Sequence, residues 1–276
     1  MSQTSILILG HGSREASANA EFEHLVEMYR VRRPELDIAH AYFEIAEPLL
    51  DPAIDELAQR ADRVVVLPLF LFAAGHVKHD VPQALARARA EHPAVRFEAA
   101  DHLGVHPTMV QLALERSISA SSSGIDPART AVVVVGRGSS DPQANSDFCK
   151  LVRLVAEGQR FWWVEPCFIA ITRPGFEEAA EMVAHGRPSH LLVVPYLLFA
   201  GTLVARIEEQ FRGFSGRHPA IHTSLAMHLA PRSDMSHVLD VLDERCAHVL
   251  ARDEPSGRAP RLIPLRSEPF PSTSSS

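Results

Sequence analysis

Cysteine is scarce in this chain: Cys149, Cys167 and Cys246 stand far apart, and none sits in a Cys-x-x-Cys pair. The odd number argues against a disulfide framework and the spacing against a thiolate cradle for zinc or iron–sulfur, so they read as reduced core or surface thiols. Long hydrophobic runs are missing too. The stretch from Ile6 to Leu9 is too short for a signal h-region or a membrane span, and no basic segment precedes it, so the expectation is a cytoplasmic protein with no membrane partner. Positive charge is also in deficit, with 27 Lys and Arg against 34 Asp and Glu and a formal charge of −7. Nucleic-acid binding needs a basic field to release counterions, so none is expected, and an anionic ligand must be met by a local basic cluster.

What is present suffices for a substantial core: 276 residues, 46% hydrophobic and 22% charged. The most informative feature is a repeat. Gly10-His11-Gly12-Ser13 returns as Gly136-Arg137-Gly138-Ser139, and Asn19, Phe22 and Pro48 return at the same offset as Asn145, Phe148 and Pro174. Pro68-Leu69-Phe70-Leu71-Phe72-Ala73 matches Pro195-Tyr196-Leu197-Leu198-Phe199-Ala200, and His102-Leu103 matches His228-Leu229. A period this long is that of a duplicated domain rather than of a solenoid. The small polar residues from Ser119 to Pro127 mark the junction. The chain is therefore expected to divide into an N-terminal domain at 1–120, a linker at 121–129, a degenerate repeat at 130–252 and a disordered Pro/Ser-rich tail at 253–276. An internal duplication mimics a two-fold dimer, so a monomer is expected.

Short apolar β-branched runs alternate with amphipathic stretches. Strands are expected at 6–9, 36–43, 63–67 and 95–99, helices at 16–33, 48–61, 81–91 and 108–119, and the second copy places strands at 131–135, 163–170, 191–194 and 221–225. Strands apolar on both faces imply α/β architecture: two tandem domains, each a doubly wound, parallel four-stranded sheet flanked by helices.

In such a sheet, ligands lie beyond the carboxyl ends of the strands. Gly10-His11-Gly12-Ser13 follows the first strand, Glu44 and Glu47 follow the second, and Leu71-Phe72-Ala73-Ala74-Gly75-His76 follows the third. Two imidazoles with a carboxylate nearby suit a borderline divalent ion such as Co²⁺, Fe²⁺, Ni²⁺ or Zn²⁺. Gly10, Gly12 and Gly75 are expected to let a wide ring approach the backbone, and Leu69 to Ala74 to form an apolar wall for its flat face.

Those segments, together with the continuation Val77-Lys78-His79-Asp80-Val81-Pro82, resemble the sirohydrochlorin chelatases, the ATP-independent class II tetrapyrrole chelatases, in their long two-domain form. The resemblance spans about residues 5–250. It implies insertion of a divalent metal, Co²⁺ foremost and Fe²⁺ or Ni²⁺ in relatives, into sirohydrochlorin in cobalamin or sirohaem biosynthesis, with no nucleotide cofactor. It implies His11 as metal ligand and proton acceptor, His76 as second metal ligand, Glu47 as substrate contact, and Leu71, Phe72, Ala73, Ala74, Gly75 and His76 as the loop against the macrocycle. A histidine titrating near neutrality can accept a pyrrole proton as metal enters.

In the second copy Arg137 stands where His11 would, and Thr202 or Leu203 where His76 would. A guanidinium does not ligate metals, so that half is expected to be catalytically silent. Arg137, Arg173 and Arg206 are candidates to bind carboxylates of the substrate across a shared cleft. Two other functions fit less of the sequence. A metal carrier has no need of a macrocycle-sized wall, and phosphoryl transfer through His11 lacks a phosphate clamp, because Arg14 stands alone in the first half.

Overall fold

A computed structural model describes residues 3–120, 125–158 and 160–253, except for the side chains of His76, Val77 and Asp253. The expected linker falls partly, and the expected tail almost wholly, outside these residues. The first half runs β1 (Thr4–Gly10), α1 (Ala16–Arg32), β2 (Asp37–Tyr42), α2 (Leu50–Ala58), β3 (Arg63–Pro68), α3 (Val81–Glu91), β4 (Arg96–Ala99) and α4 (Pro107–Ala120). The second runs β5 (Thr130–Gly136), α5 (Pro142–Glu157), β6 (Trp163–Phe168), α6 (Phe176–Ala184), β7 (His190–Pro195), α7 (Thr202–Arg217), β8 (His222–Leu225) and α8 (Ser236–Leu250). Two parallel sheets result, ordered β2-β1-β3-β4 and β6-β5-β7-β8. This is the doubly wound, duplicated α/β architecture expected from the repeat. The second helix is shorter than 48–61 at both ends, and at its start the Pro48 carbonyl accepts the Tyr42 amide at 2.8 Å, so the chain turns helical only at Leu50.

Alternation along each strand explains why both faces are covered. Leu7 and Leu9 point into a core closed by α2 and α3, whereas Ile6 and Ile8 join a larger core on the opposite face. Burial of each such side chain contributes roughly 1.5–3 kcal/mol. That larger core is continuous between the halves, since it also holds Val132, Val134, Leu192 and Val194 of the second sheet.

The layer between the sheets is built by exchange. α4 packs against α5 and β7 of the second sheet, and α8 packs against β3 of the first. α8 lies beside α1, where Asp243 pairs with Arg32 at 2.7 Å and with Arg33 at 3.0 Å. Arg116 on α4 donates to the carbonyls of His228 and Leu229, and Arg245 on α8 donates to those of His102 and Leu103. Each half thus lends its last helix to the other, which fixes the two carboxyl edges relative to one another.

At the opposite edge, register between β1 and β2 is held by the pair Ser5 and Asp37, the hydroxyl donating to the carboxylate at 2.6 Å. Burial opposes the charge of Asp37, but the Ser5 hydroxyl and the Arg60 guanidinium outweigh it and hold the carboxyl below the ordinary carboxylate range. A depressed acid stabilises the fold above its unfolded pKa, and the contribution disappears as pH falls through the folded value. Asp37→Asn should therefore lower stability by about 0.5–1 kcal/mol at neutral pH. The difference between the two proteins' melting curves should begin to shrink below about pH 4 and vanish only below the folded pKa of Asp37.

Candidate active site at the carboxyl edge

β1 lies between β2 and β3, so the connections leaving β1 and β3 diverge and open a crevice at this switch point. His11 emerges there, directly after β1. The following turn needs glycine: Gly12 has φ +88°, and a Cβ on it would collide with the carbonyl oxygen of Glu44. Gly10 would push a Cβ to 2.9 Å from the Phe22 ring. These two glycines serve the protein's own packing, and both also line the crevice. A Cβ at Gly75 would meet nothing within 4 Å.

The same packing delivers a carboxylate to His11. The Phe43 amide donates to the Gly10 carbonyl at 2.8 Å and the Glu44 amide to the His11 carbonyl at 3.0 Å, prolonging the β1–β2 pairing beyond the sheet. Ile45 then takes φ 71°, a strained value for a β-branched residue, costing of order 1–3 kcal/mol. The reversal leaves Glu44 Oε1 3.5 Å from His11 Nδ1, with the imidazole 30% exposed. That is an ion-pair separation rather than a hydrogen bond. A carboxylate on the Nδ1 side favours a proton there, which places the lone pair on Nε2.

Glu47 is placed otherwise. Its carboxylate accepts the Leu49 amide at 3.0 Å at the start of α2, and it is not among the residues lining the crevice. Sequence order could not separate the two acids: Glu47 turns to the Leu49 amide, while Glu44 still tracks β1. Of the loop after β3, Leu69, Phe70, Leu71, Phe72 and Ala74 line the crevice, but Ala73 and Gly75 do not. His76 opens a π-helical turn, His76–Asp80, that leads into α3, and its side chain lies outside the described residues.

The crevice is a cavity of about 510 Å³ shared by both halves. Facing His11 are Arg137, Ser139, Leu198, Phe199, Ala200 and Leu203 from the second half. Its floor is aromatic: Phe72 stacks on Tyr196 at 5.9 Å and Phe22 meets Phe199 edge-on at 6.2 Å. Burial holds the Tyr196 hydroxyl far above its usual titration range, so it stays neutral. Arg14 and Arg137 also line the cavity, and among the described residues neither side chain has a hydrogen bond or an ion pair. Arg173 is engaged with Glu178, and Arg206 does not line the cavity. The residue matching Glu44 is Ala170, so the second half lacks both the imidazole and its carboxylate.

Outside the crevice, Asp55, Glu91 and His92 cluster closely enough to hold a cation. Arg87 already occupies that cluster, bridging Asp51, Asp55 and Glu91, so its charge is met by protein. No described helix is long and apolar enough to cross a membrane.

Both halves match one family model, CbiX, over residues 5–120 and 131–248. The chain belongs to the CbiX family. Among its relatives, the sirohydrochlorin cobaltochelatase of Priestia megaterium is 34% identical over 224 residues, covering 80% of this chain and 73% of that one. The sirohydrochlorin ferrochelatase of Bacillus subtilis is 28% identical, covering 91% and 93% respectively. SirB from Bacillus subtilis with Fe³⁺ superimposes with a TM-score of 0.79 at 27% identity over 91% of this chain and 96% of that one. A SirB structure from Bacillus subtilis subspecies spizizenii in complex with cobalt gives 0.75 at 26%, covering 91% and 97%. The CbiX repeat therefore extends through both sheets, while the His11 and Glu44 pair occurs in the first alone.

Proposed function

We propose that this CbiX-family chain inserts a divalent metal, Co²⁺, into sirohydrochlorin at the cavity between its halves. The observation that carries the reading is His11 beside Glu44 at one wall of an apolar cavity, with unpaired guanidinium groups at its rim. The volume lies inside the range of about 300–1,000 Å³ usual for small-molecule sites. The printed activities of the relatives, cobaltochelatases and ferrochelatases alike, support the substrate, and the one at 34% identity is a cobaltochelatase.

In this mechanism His11 and His76 receive the metal, and the macrocycle meets the loop from Leu71 to Gly75 through Leu71, Phe72 and Ala74, with its face on the aromatic floor. As the metal enters the ring, two pyrrole protons leave: His11 accepts one at Nε2 while Glu44 stabilises the imidazolium, and the other passes to solvent. Glu47 sits at the outer rim by the start of α2, where it contacts substrate only at the periphery. Sirohydrochlorin is rich in carboxylates, which Arg14 and Arg137 bind through charge-assisted hydrogen bonds. We assign the chain as a cytoplasmic monomer of two repeats, 1–120 and 130–252, joined at 121–129.

The test is anaerobic absorption spectroscopy of sirohydrochlorin with Co²⁺, Fe²⁺ and Ni²⁺ in turn, with and without protein. Metallation faster than the protein-free control, fastest with Co²⁺, is the expected result. Metal binding without acceleration for any ion would leave a carrier in place of an enzyme. For Arg137→Gln, the expected result is a five- to tenfold rise in the KM for sirohydrochlorin, with kcat changed less than about twofold, because a peripheral carboxylate contact acts alike in ground and transition states. Steady-state kinetics with Co²⁺ saturating checks it.

A further inference from the structure

We propose that Asp141, in the half without the histidines, is a positioning residue for the first half's metal site: its ion pair with Lys78 holds the turn that carries His76. The inference rests on the chelatase reading for the role of His76, and on the structure alone for the tie.

The turn needs holding. A π-turn is poorer in hydrogen-bond geometry than an α-helix, and His76–Asp80 is one, joined to the loop by the Lys78 amide donating to the Ala74 carbonyl at 3.0 Å. Gly75, Lys78 and His79 are exposed, and close packing resumes only at Val81, which is 2% exposed. Across the crevice, Asp141 occupies the N-cap position of α5 and accepts the Gln143 amide at 2.9 Å, so its carboxylate is fixed by its own helix. The Lys78 ammonium pairs with the other oxygen of that carboxylate.

The same device recurs by pseudo-symmetry, which separates it from a chance surface pair. Glu15 is the N-cap residue of α1 and occupies the position equivalent to Asp141. It accepts the hydroxyl of Thr202 at 3.2 Å, at the start of α7, in the segment equivalent to that of His76. The second half's loop has a further tie, the Ala200 amide donating to Glu21 at 2.7 Å. Each half therefore uses the cap of its first helix to hold the other's loop after the third strand. This gives the degenerate half a reason to keep its carboxylate although it has lost its imidazoles.

The experiment is a double-mutant cycle on the full chain with Lys78→Gln, Asp141→Asn and both together, since asparagine keeps the helix cap and removes only the charge. Two readouts are taken: hydrogen exchange of the amides at 76–80, and steady-state Co²⁺ insertion. An exposed pair contributes little to global stability, so melting temperatures should agree within a degree or so. Exchange should speed up about three- to fivefold in each single variant. Turnover should fall about tenfold, with the KM for sirohydrochlorin nearly unchanged, and the double variant should be no worse than either single one. Wild-type exchange in Asp141→Asn would overturn the proposal. So would a raised KM confined to Lys78→Gln, which would make Lys78 a direct substrate contact. If wild type metallates nothing, the chelatase reading falls, while the exchange cycle still decides whether Asp141 holds the turn.

Discussion

His11→Ala is expected to slow Co²⁺ insertion into sirohydrochlorin by about 10²–10⁴-fold, the range for removing a positioned general base. The loss should be all the larger because the same imidazole is assigned as a metal ligand. Stability should change little, since the ring is 30% exposed and the loop's shape comes from Gly12 and from backbone bonds to Phe43 and Glu44 that alanine retains. The counterpart substitution, Arg137→Ala, removes a side chain from the equivalent turn of the second half and should leave turnover at saturating substrate near wild type. Parallel measurement of melting temperature and of metallation at saturating Co²⁺ distinguishes the cases. A His11→Ala protein that metallates at the wild-type rate would remove His11 from the chemistry and, with it, the central claim for this site.

How far the sequence led can be seen in particular residues. The recurrence of Gly10-His11-Gly12-Ser13 at Gly136 was enough to anticipate two sheets, and the doubly apolar strands enough to anticipate helices on both faces. The exchange of α4 and α8 was not legible. Periodicity shows that Leu112 and Leu242 face a core, but both sheets offer the same apolar surface, and the choice is made by distant partners such as Arg116 with the His228 carbonyl. The two acids of the second loop were both visible as candidates. Which one meets His11 depends on backbone pairing past the end of β1, which has no signature in residue type. Gly10 and Gly12 were legible as residues beside the ligand space, but the Glu44 carbonyl that requires glycine at 12 was not. Asp141 escaped notice because its partner lies in the other repeat, beyond any local pattern.

The symmetry also separates what folding requires from what the reaction requires, through Gly12→Ala and Gly138→Ala. Both glycines have positive φ, +88° and +85°, and in each a Cβ would strike the carbonyl oxygen of the second residue beyond the neighbouring edge strand, Glu44 in one half and Ala170 in the other. Alanine forces backbone strain and displacement of that neighbouring turn, so each variant should lose roughly 2–4 kcal/mol of stability. The chemical consequences should diverge. In the first half the displaced residue is the carboxylate facing His11, and an error of about 1 Å in a catalytic pair costs on the order of 10²-fold in rate. In the second half Ala170 carries no functional group. Metallation measured well below both melting transitions should therefore fall about 10²-fold in Gly12→Ala and less than about threefold in Gly138→Ala. Equal losses in the two would mean that the turn of the second half also shapes the reacting centre. Equal retention would mean that the placement of Glu44 does not govern His11.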